Sequence, residues 1–404
     1  EKRAPIGSPS RHSSSPRTLL LRAGFHDAAR AGRLLGDPAL LPFLLDDPQS
    51  DDVGEEGVIP GGFASAERSR RPGGRPAEVR LGPVREELID SLALTSDPDM
   101  ALLSLVRLAE AAATAESGHL ASAGGVEAGC TTRPAVLLRS VMSEPAAGPR
   151  EHRRRLLAVL GASQALGDFL VAHPEHLSAL APDRAWDAPQ EPSAGEALRR
   201  AVGDVLGRAD PADAAPSDSD KGPSQPGDAA VGRATAALRR AYRDRLTAIV
   251  ADDLTSADPI EHVPTVCRRM TALADAALDA ALLVARAAVG PRADEVALAV
   301  IAMGKTGARE LNYVSDVDVV YVVGPAHDPH DVQEPISEEQ LVEVGTHLAT
   351  ELAHVVSATA PEPPLWPLDT ALRPEGKDGA LVRTLDSHLA YYRRWAASWE
   401  FQAL

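Results

Sequence analysis

Over most of the chain apolar residues recur at helical spacing, and near residue 295 the pattern switches to unbroken runs of strand length. The helical spacing predicts helices over 99–116 and within 150–180. Over 232–254 it places Leu238, Tyr242, Leu246 and Ile249 on one stripe, with Arg239 and Arg243 on another face. That arginine face reads as solvated, with phosphate contact as the alternative. A long helix over 264–291 is closed by Gly290 and Pro291. Two apolar runs follow, "EVALAVIAM" (295–303) and the valine-rich "DVDVVYVV" (316–323), both predicted as strands. Leu341, Val344, Leu348, Leu352 and Val355 then mark a helix over 337–359, and Ser337 with Gln340 forms a capping box at its start. A third strand is expected over 365–374, at an edge because Pro367 cannot donate to a ladder. The segment from 387 to 404 returns to helix, with Tyr391, Tyr392, Trp395 and Trp399 expected to pack a core.

The same pattern fails over 47–80 and 208–231, which are rich in Gly, Pro and charge and read as disordered insert and linker. A shorter stretch, 324–335, reads as a loop after a strand. Aromatic residues make up only 3% of the sequence, so the cores must be built mainly from Ala, Leu and Val. The fold class that follows is α+β and predominantly helical.

Charge and cysteine usage narrow the chemistry. A net charge of −17 repels phosphate backbones on average, which disfavours a nucleic-acid or anionic-membrane partner. The longest apolar run, Val296 to Met303, is far short of the roughly 20 residues that span a bilayer. The two cysteines, Cys130 and Cys267, have no metal-ligand spacing and fit a reducing cytoplasm. The chain opens without methionine and ends inside an apolar pattern, so the natural protein is expected to continue.

Two motifs compete within residues 299–323, "AVIAMGKTGARELNYVSDVDVVYVV". Ala299 to Thr306 satisfies the loose phosphate-loop pattern, but its intervening residues Val300, Ile301, Ala302 and Met303 are strand formers rather than a flexible cradle. Asp316 and Asp318, two apart in a strand, project from one face. Two carboxylates so placed repel unless a cation lies between them, which points to an oxygen-ligated divalent ion. The plain alternative is a strand-end pair facing water.

Apolar strand, glycine turn at Gly304, then a D-h-D pair resembles the polymerase-β-type nucleotidyltransferases, with Asp369 in "WPLDTALRPEG" as a suitable third carboxylate. Lys305 departs from that superfamily, which usually has Ser or Gly after the glycine. The departure leads to a narrower likeness. "AMGKTGARELNYVSDVDVVYV" resembles the motif G-M-G-K-x-G-x-x-E-L-N-Y-x-S-D-x-D-h-h-h of the glutamine synthetase adenylyltransferase/adenylyl-removing enzymes. "DTALRPEGKDGALV" resembles their second block. The likeness is specific from about residue 150 onward. Ala302 stands where the family often has Gly, and Ala371 where Arg is common.

The resemblance implies a two-metal, polymerase-β-type nucleotidyltransferase core over 232–385, built on a small mixed sheet with flanking helical regions. Ahead of it lie a helical leader (1–46), the insert (47–80), a helical region (81–207) and the linker (208–231); residues 386–404 begin a further helical domain. Asp316, Asp318 and Asp369 would be catalytic and bind two Mg²⁺ or Mn²⁺ ions, with Gly304, Lys305, Ser315 and Arg373 toward nucleotide or phosphate. Arg373 could instead pair with an aspartate. His347 and His354 read as surface or packing residues. The family removes AMP from a tyrosine of glutamine synthetase with inorganic phosphate, releasing ADP, and attaches AMP from ATP, under control of PII protein and glutamine. One motif copy behind a long helical leader matches the amino-terminal, adenylyl-removing half. The alternatives are the adenylylating half, another polymerase-β-type transferase, and a non-catalytic module that binds glutamine synthetase.

Overall fold

A computed structural model describes residues 15–44, 83–121, 133–143, 150–182, 193–207, 227–327 and 335–403. The insert at 47–80, nearly all of the linker, and Cys130 lie outside the described residues. The chain forms two compact units, Glu1–Ala181 and Pro182–Leu404.

The first unit is helical. Its described helices are α1 (Pro16–Arg22), α2 (Ala28–Leu34), α3 (Pro83–Leu92), α4 (Pro98–Ala121), α5 (Pro134–Met142), α6 (Glu151–Ala162) and α7 (Gln164–Ala172). Along α4, Ala101, Leu102, Leu105, Leu108 and Ala112 are fully buried at three- and four-residue steps. α4 packs against α5, α6 and α7, on which Leu138, Leu156, Leu160 and Leu170 are buried in turn. The helical pattern over 150–180 is cut at Ser163. Its backbone is extended and its side chain accepts from Leu166 N, so it ends α6 and caps α7. The two helices diverge by 118°. Among the described residues no single helix is long and apolar enough to cross a membrane.

The second unit opens with α8 (Ala194–Leu206), α9 (Asp228–Leu254) and α10 (Pro259–Val289). The pattern grouped α8 with the preceding helical region, but Leu198 and Val202 are buried in the core shared by α9 and α10. The linker expected through 231 overruns the start of α9, which begins at Asp228 after Gly227. α10 starts before Pro264, because Asp258 caps it by accepting from Glu261 N and Pro259 fills its first position. Pro264 forfeits one ladder bond near the start of a 31-residue helix, too little to stop it.

Strand β1 (Val296–Ala302) runs antiparallel to β2 (Val317–Pro325), with Val296 opposite Pro325 and Ala302 opposite Val319. A single helical turn, α11 (Gly304–Gly307), joins the crossing point to the loop that leads into β2. α12 (Glu338–Ser357) carries the expected capping box of Ser337 and Gln340 and exposes His347 and His354. Its Leu348 and Leu352 pack on Val319, Tyr321 and Val323 of β2 and on the alanines of α10. A Cβ on Gly345 would lie 2.8 Å from Val323 Cγ2, so this helix backbone lies directly against the sheet.

The third strand is shorter than predicted. β3 (Leu368–Asp369) and β4 (Val382–Thr384) both pair parallel with β2 along the edge that β1 leaves free, at Val317–Asp318 and Tyr321–Val323. The chain leaves the ladder after Asp369, whose Oδ1 accepts from Ala371 N at 2.7 Å and turns the backbone outward. The terminal helix is also divided, into α13 (Leu385–Arg394) and α14 (Ser398–Ala403). The Glu400 carboxylate breaks it by accepting from Ala397 N and from Tyr391 Oη. Trp395 and Trp399 do not pack a core: they are 68% and 54% exposed, and Arg394 stacks over the Trp395 ring.

Candidate metal centre

The antiparallel pairing of β1 and β2 places the glycine turn against the first acidic pair. Met303 N donates to Asp318 O at 2.9 Å, which draws the turn onto the strand end. Gly304 has φ +53, and a Cβ there would sit 2.6 Å from Asp318 Oδ2. Only glycine fits both the conformation and the space. The turn is closed by Gly307 N to Met303 O and Ala308 N to Gly304 O.

This geometry removes the phosphate-loop reading. The residues that would cradle phosphate, Val300 to Ala302, lie in β1 opposite Tyr321, Val320 and Val319. The threonine of the pattern, Thr306, is buried to 1% exposure, and its Oγ1 has no hydrogen-bond partner. The helix after it ends within one turn.

The three predicted carboxylates come together. One oxygen from each of Asp316, Asp318 and Asp369 lies within 4.8 Å of the others. Asp316, just ahead of β2, is exposed; Asp318 and Asp369 are half-buried. Asp369 reaches its neighbours through the parallel register that sets it opposite Asp318. Burial raises the Asp318 carboxyl above the usual carboxylate range, reinforced by the charges of Asp316 and Asp369, while Lys305 pulls it down. An all-oxygen, multiply charged donor set destabilised by its own repulsion fits a hard divalent cation such as Mg²⁺ or Mn²⁺.

The other predicted residues divide. Gly304 and Lys305 border the cluster, and Ser315 precedes it, half-buried. Arg373 is engaged elsewhere, and not with an aspartate. Its Nε donates to Gly379 O, its Nη1 to Thr370 O and its Nη2 to Lys377 O, which folds the 370–379 loop around it.

The arginine face of α9 is likewise not solvated. Arg239 is fully buried and donates to the carbonyls of His354, Val355, Ala358 and Glu362. Arg243 Nη2 donates to Pro363 O at 2.7 Å and Pro364 O at 2.8 Å. The sequence signal was present. The segment 361–367 holds four prolines, at 361, 363, 364 and 367, leaving carbonyls without matching N–H donors. A second contact that the pattern did not reveal is Tyr313, whose hydroxyl donates to Asp253 on α9 at 2.7 Å.

Comparison with known proteins adds an independent line. The family model described as glutamate-ammonia ligase adenylyltransferase matches residues 153–404. A bifunctional glutamine synthetase adenylyltransferase/adenylyl-removing enzyme of Streptomyces avermitilis is 36% identical over 397 residues, 98% of this chain and 30% of that protein. Proteins of the same name from Bifidobacterium longum (strain DJO10A) and Mycolicibacterium smegmatis are 38% and 40% identical, each over 79% of this chain and 26% of their own length. The chain thus spans less than a third of the length of these curated relatives.

Proposed function

Because the chain belongs to the glutamate-ammonia ligase adenylyltransferase family, we propose that it is a nucleotidyltransferase acting on glutamine synthetase, and that it works in the removing direction. Inorganic phosphate attacks the phosphorus of a tyrosine-linked AMP. The bond from phosphorus to the tyrosine oxygen breaks, a phosphate–phosphorus bond forms, ADP leaves, and the tyrosine oxygen takes up a proton. The observation that carries this reading is the convergence of Asp316, Asp318 and Asp369 within 4.8 Å beside the Gly304 turn.

Asp316, Asp318 and Asp369 would hold Mg²⁺ or Mn²⁺, two ions by analogy with the resembled superfamily. When bound, such ions neutralise charge on the phosphate oxygens and orient the incoming and leaving oxygens in line. The chain's own residues do the rest. Gly304 keeps the approach to Asp318 open, since any side chain there would occupy the space beside Oδ2. Lys305, exposed at the first turn after it, offers a cation to phosphate oxygens. Ser315 lies beside the cluster as a neutral donor. The support for the removing direction is the helical unit that precedes the motif. PII protein as regulator and a cytoplasmic location belong to the same proposal.

The test is to incubate the chain with adenylylated glutamine synthetase, Mg²⁺ and phosphate. Phosphate-dependent ADP is expected. Its persistence in both Asp316→Asn and Asp318→Asn would overturn the mechanism. Incorporation of AMP from ATP into unmodified glutamine synthetase, without ADP release in the first assay, would assign the opposite half-reaction.

A further inference from the structure

The third carboxylate hangs on a two-residue strand, too short to set its own position. Of the residues ahead of it, 361, 363, 364 and 367 are prolines, so this stretch can neither join a ladder nor form a helix. Its carbonyls are met instead by one face of α9. Arg239 takes the last turn of α12 and Glu362 O. Arg240 Nη1 reaches Glu362 Oε1 at 3.3 Å. Arg243 takes Pro363 O and Pro364 O. Trp366 Nε1 donates to Tyr242 Oη at 3.1 Å, and Ser357 Oγ to Trp366 O at 3.0 Å. The next carbonyl, Pro367 O, accepts from Val317 N at 3.0 Å, and Asp369 falls opposite Asp318. The chain of contacts from α9 to the acidic cluster is continuous, and each guanidinium fork spans carbonyls whose spacing a single ammonium could not match.

We propose that Arg239 and Arg243 are positioning residues for the metal centre. By clamping the proline segment to α9 they set the place of Asp369 relative to Asp316 and Asp318, and so the affinity of the site for a divalent cation. The inference rests on reading the cluster as a metal site, and its test separates the two. Mn²⁺ binding to the full chain is measured by the loss of the free-ion electron paramagnetic resonance signal, with circular dichroism as the check that each variant is folded. Arg243→Ala, at a half-buried position, is expected to weaken binding about tenfold, within the range for residues that orient metal ligands. Arg239→Lys, which keeps the charge and loses the fork, is expected to weaken it further; should it fail to fold, Arg243→Ala still carries the test. Asp369→Asn should weaken binding more, and adding Arg243→Ala to it should cost nothing extra, because the arginine acts through that carboxylate. Full additivity of the two changes, or wild-type affinity in folded Arg243→Ala, overturns the positioning role alone. Equal Mn²⁺ binding by wild type and Asp318→Asn overturns the metal centre, and the inference with it.

Discussion

Two regions deliver carboxylates to one point by different means. Asp316 and Asp318 come at the head of β2, a nine-residue strand paired with β1 along seven positions and buried on its α12 side. Asp369 comes on two paired residues at the end of a proline-rich segment held by side chains. The first arrangement is stabilised by backbone ladder and apolar burial, so its geometry is locally encoded. The second depends on guanidinium groups more than a hundred residues away in sequence. A ligand on a regular element tolerates change around it, whereas a ligand on an irregular segment is only as well placed as the contacts that grip the segment.

The largest effect that can test this contrast is loss of a carboxylate. Asp318→Asn should reduce phosphate-dependent ADP formation by about a thousandfold or more, equivalent to roughly 4 kcal/mol of barrier. Asp369→Asn should do the same if all three ligands share the work; a mild effect at Asp369 would mean that the strand pair suffices.

Next comes the clamp. Arg239→Met keeps volume but leaves buried carbonyls of α12 and Glu362 without donors, and should lower unfolding free energy by about 3 kcal/mol in urea titration. An unchanged midpoint would show that water replaces the guanidinium and that the segment holds itself.

Gly304→Ala strikes the locally encoded side. A left-handed backbone and a Cβ 2.6 Å from Asp318 Oδ2 should cost about 1–2 kcal/mol of stability and displace the carboxylate, read as weaker Mn²⁺ binding.

Tyr242 allows a finer measurement. Burial, only partly offset by the hydrogen bond from Trp366, pushes its hydroxyl up to about 12 from the ordinary 10.0. The folded state therefore keeps a proton that the unfolded chain releases. Its share of stability is whole below pH 10 and falls between pH 10 and 12, by about 1.4 kcal/mol per pH unit. Tyr242→Phe should remove that part of the alkaline decline when unfolding is compared at pH 9 and pH 11. Smallest of all, Thr306→Ala should leave Mn²⁺ binding and ADP formation unchanged, since its buried hydroxyl has no hydrogen-bond partner; a large loss would revive the phosphate-loop reading.

Much of the site was legible because its strong elements are periodic. The strands at 296–302 and 317–325 and the capped helix at 338–357 lie within one or two residues of the pattern's prediction. The third strand was over-read because Leu365 to Pro374 looks apolar and extended. No propensity reveals that Asp369 turns its own backbone out of the ladder through Ala371 N. The break at Ser163 and the exposure of Trp395 were likewise set by single hydrogen bonds and by surroundings that periodicity does not record.

The sequence alone determined which carboxylates belong together, since D-h-D at strand spacing, a glycine turn and the family-like blocks are all local patterns. Only the tertiary structure decided what the arginines do. Arg239 and Arg243 occupy the same kind of helical positions whether they face water, phosphate or carbonyls. What selects among these is the arrival of a proline segment with unmet acceptors, which comes from residues 354–366 and from no local pattern in α9.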